Sequence, residues 1–140
     1  MQNEAQLQDY YEFVQKQGNL LSFELAQRWS SGVLKTLGFH LNSRVKRSLA
    51  KALPEPLARD LKDVFFLLHF RDPNLSSLDF QKQVARRSGN TNAEFARFPT
   101  LAVFSGIQRY TNSKLNQRIA ESLSPEVREL WEQSMEKVGV

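Results

Sequence analysis

The chain contains no cysteine. Disulfides, thiolate zinc sites, iron–sulfur clusters and cysteine nucleophiles are therefore excluded, and a disulfide-dependent secreted module is not expected. Long apolar runs are missing too. The longest, Val64 to Leu68, falls far short of the roughly 18 residues that a membrane-spanning helix requires. Met1 to Gln8 is polar and includes Glu4. It has neither the basic start nor the hydrophobic stretch of a secretory signal, so the expected location is the cytoplasm. Glycines lie singly, and the spacings H-E-x-x-H, G-x-S-x-G, G-x-G-x-x-G and that of the phosphate-binding P-loop are all absent. Acids are missing from Leu25 to Pro54, where Arg28, Lys35, Arg44, Lys46, Arg47 and Lys51 stand unopposed. They gather instead near the end, at Glu121, Glu126, Glu129, Glu132 and Glu136. Such a separation of charge suits an anionic partner or a second copy of the chain.

What is present is one helical unit written twice. Residues 9–61 align with residues 79–131 without insertion or deletion, with identities at Asp9/Asp79, Val14/Val84, Glu24/Glu94, Ala26/Ala96, Val33/Val103, Asn42/Asn112, Ser43/Ser113, Ala50/Ala120 and Leu53/Leu123. What repeats is apolar spacing and helix caps, and no cluster of catalytic residue types repeats with them. The expectation is an all-α single domain over residues 1–140, built from two tandem pseudo-repeats of about four helices each.

The first helix of the first copy places Leu7, Tyr10, Tyr11 and Val14 on one face and stops near Gly18; its counterpart presents Phe80 and Val84 and stops near Gly89. The second helices open at Ser22 and Asn92, both good N-cap residues. The stripe of the first is Ala26, Trp29, Val33 and Leu37, answered by Val103, Phe104 and Ile107. Pro99 stands at the position of Trp29 and predicts a kink or restart near Phe98. Asn42-Ser43 and Asn112-Ser113 open the third helices. The fourth follow Leu53-Pro54 and Ser124-Pro125, where proline begins a helix. The first of these carries Leu57, Leu61, Val64, Phe65 and Leu68 on one face and Phe66, Leu67 and Phe70 on the other, so it is expected at the centre, between the copies. Arg71 to Asn74 reads as a tight joining turn that leaves the copies one rigid body.

Phe13-Val14 on the first helix, Ala26 with Val33-Leu34 and Leu37 on the second, and Leu53-Pro54 before the fourth give the chain a resemblance. It resembles the bacterial family called domain of unknown function 2267, a duplicated helical unit, over about residues 9 to 132. The second copy departs from the pattern at Pro99 and at Leu123-Ser124-Pro125. The resemblance implies a helical fold and supplies no activity, cofactor or catalytic residue.

Arg44, Arg47 and Lys51 follow spacings of three and four on the first copy's third helix, in one stripe opposite Val45 and Leu49. Such a stripe suits phosphates, and Lys46, Arg86 and Arg87 extend it where the fold brings them together. The matching second-copy positions hold Lys114, Gln117 and Glu121, so the stripe is not repeated. Aromatics do not interleave with these bases, which argues against stacking on single strands. Phe13 and Phe39, which lie off the main stripes, and Tyr11, at the margin of its own, are the candidate protein contacts. His40 and His69 read as helix-end donors, and Asp60 with Asp63, beside Arg59 and Lys62, as a solvated face. No metal or cofactor is expected. The expected function is a noncatalytic protein-binding or regulatory module whose partner is another protein or a second copy. The alternatives are sequence-nonspecific nucleic-acid binding through the basic stripe, and an enzyme or small-ligand binder using a pocket between the repeats.

Overall fold

Side-chain caps decide where most of the helices begin. The structure, a computed structural model, describes residues 2–63 and 72–135. Helix α1 (Gln2–Gln17) ends at Gly18, and Asn19 turns the chain at φ 59°. Ser22 accepts a hydrogen bond from the Leu25 N–H at 3.1 Å and opens α2 (Phe23–His40). Asn42 does the same for Val45 at 2.9 Å and opens α3 (Ser43–Ala52). Helix α4 (Glu55–Lys62) follows Pro54 with Pro56 in its first turn. Ser76 caps α5 (Ser77–Arg87), which closes at Gly89, φ 74°. Each such cap is worth about 1 kcal/mol.

The next helix starts later than its N-cap residue suggests, for the reason its proline supplies. Asn92 accepts from the Phe95 N–H at 2.9 Å, yet residues 93–96 form turns, and α6 (Arg97–Ile107) starts only beyond them. The expected restart thus falls at Arg97, which puts Pro99 in a first turn, where its missing N–H leaves no bond unmade. A 3₁₀ turn, Gln108–Tyr110, ends this stretch. Asn112 then caps α7 (Ser113–Ser122) through the Leu115 N–H at 2.8 Å. Helix α8 (Pro125–Met135) begins on its proline, after Ser124, whose hydroxyl donates to Leu75 O at 2.7 Å.

Helix α2 occupies the middle, packed on α1, α4, α5 and α6. The first copy's fourth helix, expected at the centre, is described only in part. Its described part, α4, lies on α2 and α3 with Leu57 and Leu61 fully buried; Val64, Phe65, Phe66, Leu67, Leu68, His69, Phe70 and Arg71 lie outside the described residues. The long-range packing is reciprocal. Helix α1 lies along α6 while α5 lies along α2, α4 and α8 flank α2 and α6, and α3 meets α7. Tyr10, Phe80, Phe104 and Trp131 are fully buried in one continuous core, with Phe104 and Trp131 edge to face at 5.2 Å. Among the described residues all regular structure is helical, in one compact domain, and no helix is long and apolar enough to cross a membrane.

Candidate anion-binding surface

Helices α3 and α7 are short and amphipathic, and each buries one stripe. Val45, Leu49 and Leu53 hold α3 on the core; Ile119 and Leu123 hold α7. The two helices pack side by side, and the Asn42 N–H donates to Ser122 Oγ at 2.9 Å, which ties the start of α3 to the end of α7. Burial of one stripe turns the other outward. Arg44, Arg47 and Lys51 are all exposed along α3, as their spacing requires, and Lys46 is half-buried at its flank.

Packing adds cations to this stripe. Lys62, at the end of α4, joins Lys46, Arg47 and Lys51 around a hollow of about 400 Å³. Between α3 and α7, Arg44, Lys114 and Arg118 line a second hollow of about 500 Å³, into which Glu121 brings a single acid. Burial lowers the pKa of Lys46, as crowding a cation away from water does. Elsewhere Lys35, Arg59 and Lys82 pair with Asp63, Glu55 and Asp79. Among the described residues none of the cations around the two hollows makes an ion pair. Arg44 and Lys114 each sit second in their helix, where the helix dipole favours an acid and a cation costs a few tenths of a kcal/mol. Neither first turn holds an acid. These charges are not placed for helix stability.

Arg86 and Arg87 do not line either hollow. Arg87 instead lies back on α2, donating to Thr36 Oγ1 at 3.0 Å with its guanidinium 5.7 Å from the Phe39 ring. Burial, then the neighbouring Arg86, lowers its pKa. The aromatic candidates fare differently from expectation. Tyr11 is buried, edge to face with Tyr10 and Phe23, because α1 is clamped between α2 and α6. Phe13 is half-buried with Arg109 4.9 Å above its ring, and Phe39 is half-buried beneath Arg87. Among the described residues the exposed large apolar ones are others, chiefly Leu21 at 92% and Phe98 at 54%.

His40 is buried at the end of α2, where its Nε2–H donates to Gln83 Oε1 at 2.8 Å and ties α2 to α5. Asp60 is not the solvated carboxylate expected. It is half-buried, accepts from Ser31 Oγ at 3.1 Å, and its pKa is raised chiefly by burial. A cavity of about 410 Å³ beside His40, Glu121 and Arg128 is built of groups already committed. Arg128 donates to Ala120 O and Leu123 O, and Ser124 to Leu75 O. Among the described residues no three His, Asp or Glu side chains converge as metal ligands.

Lys62, Lys114 and Arg118 are the members of the surface that spacing along α3 misses. A signal for two of them was present: the alignment of residues 9–61 with 79–131 pairs Lys114 with Arg44, and Arg118 lies one helical turn further on the same face. A family model described as "Uncharacterized conserved protein (DUF2267)" matches residues 8–130. No curated protein matches the chain in sequence.

Proposed function

We propose that this chain, which belongs to the family of uncharacterized conserved proteins DUF2267, is a noncatalytic binding module that takes the phosphate backbone of nucleic acid on its α3–α7 face. One observation carries the reading: cations from α3, α4 and α7 lie side by side, without ion partners among the described residues, around hollows that contain a single acid. Surface charge of one sign gathered on one face, with Arg44 and Lys114 in first turns that favour acids, is a phosphate-binding pattern. The reading takes the two halves as duplicated units that have diverged in this task, since α7 keeps a cation at Lys114 and adds Arg118 but carries Gln117 and Glu121 where α3 has Arg47 and Lys51.

Fluorescence anisotropy with labelled double- and single-stranded nucleic acid, from low to physiological salt, tests it. Binding is expected at low salt and should weaken steeply, by roughly a thousandfold between about 50 and 200 mM for six phosphate contacts. Arg47→Glu with Lys51→Glu should abolish it while circular dichroism stays unchanged. No binding at low salt would overturn the reading. Protein contact would then be the better account, and Leu21 and Phe98, rather than Tyr11, Phe13 or Phe39, would be the residues to change.

A further inference from the structure

We infer, resting on that reading, that the ligand is B-form duplex DNA and that α3 is the element that enters its major groove. Helix α3 borders both hollows, with α4 packed on one side of it and α7 on the other. Lys46 and Lys62 lie on the α4 side, and Arg44 with Arg118 on the α7 side. Arg47, opposite the buried Val45 and Leu49, lines the α4-side hollow. A phosphate track along one edge would need cations on one flank only. Cations on both flanks of a single helix match a groove with a phosphate strand on either wall.

The dimensions agree. A helix of 10 residues is about 15 Å long and 10–12 Å across, and the B-form major groove is about 12 Å wide and admits one helix. The A-form groove of an RNA duplex is deep and narrow and does not. Among the described residues no aromatic lines either hollow, so these residues offer a single strand charge but no ring on which to stack its bases.

The test uses the whole chain and three labelled probes of one sequence: a DNA duplex, an RNA duplex and a DNA single strand, at about 0.1 M salt. The DNA duplex should bind about tenfold or more tightly than either of the others. Lys62→Glu and Arg118→Glu, one on each flank, should each weaken duplex binding by about tenfold and flatten its salt dependence. Circular dichroism identifies a variant that has lost its fold, in which case Lys114→Glu replaces Arg118→Glu. Equal, salt-sensitive binding of all three probes would overturn insertion of α3 while leaving the phosphate reading standing. A loss confined to one flank would also overturn it. Failure of every probe to bind at any salt would defeat both.

Discussion

Asp60 shows how far its neighbours move a side chain from what its sequence context promises. Between Arg59 and Lys62 it reads as a surface charge. In the fold it leans on α2, where burial raises its pKa above the ordinary 3.8, while the Ser31 hydrogen bond and Lys35 pull the other way. A carboxyl with a raised pKa holds its proton more firmly in the folded chain than in the unfolded one. Its contribution to stability is therefore full below about 3.8 and is lost as pH rises through the raised value. Asp60→Asn keeps an oxygen for Ser31 and removes the charge. Urea midpoints measured at about pH 4 and pH 7 should show the Asn variant gaining on the natural chain as pH rises. A difference that shrinks over that range would mean that Lys35 and Ser31 outweigh burial. Tyr11 carries the same lesson, since burial and then the charge of Asp60 push its phenol up to about 12. An i, i+4 pattern tells which face of α1 is apolar, but not that a neighbour seals its margin.

At the scale of the element, helix starts were legible and helix neighbours were not. A cap such as Ser22, Asn42 or Asn112 acts on an N–H three residues away, so a short stretch of sequence contains the whole interaction. An apolar stripe reports burial without naming what buries it, and nothing in residues 2–17 points to α6 rather than to a nearer helix. Among the described helices the centre falls to α2, which packs on α1, α4, α5 and α6. The overlooked signal was Gly38, inside a helix where glycine costs about 1 kcal/mol relative to alanine. A Cβ at Gly38 would stand 2.0 Å from the carbonyl oxygen of Leu61, a backbone atom of α4 that moves only if the helix moves. Gly38→Ala should therefore lose about 2 kcal/mol despite its better helix propensity, read as a lower urea midpoint. An unchanged or raised midpoint would show that α4 shifts freely. Gly32→Ala should cost less, because the closest obstruction is the hydroxyl of Ser88.

For the whole molecule, the stripe on α3 followed from spacing, but the surface did not, because α7 and the end of α4 reach it only through packing. The same packing sets an acidic element beside it. Helix α8 lies on α7 and exposes Glu129 and Glu132, roughly one helix diameter, about 10 Å, from the basic face. That distance is short against a Debye length of about 30 Å at 0.01 M salt and longer than the roughly 8 Å at physiological salt. These acids should therefore oppose an approaching polyanion in dilute buffer and matter little at physiological salt. Glu129→Lys with Glu132→Lys is expected to tighten nucleic-acid binding several-fold at low salt, with the advantage closing as salt is raised. Glu121→Gln differs, because Glu121 lines the α3–α7 hollow itself; its gain should persist at physiological salt, where a ligand excludes the screening ions. Anisotropy titrations of both variants across one salt series separate the two effects. If the α8 reversals keep their full gain at physiological salt, α8 touches the ligand and the binding face extends beyond α3 and α7.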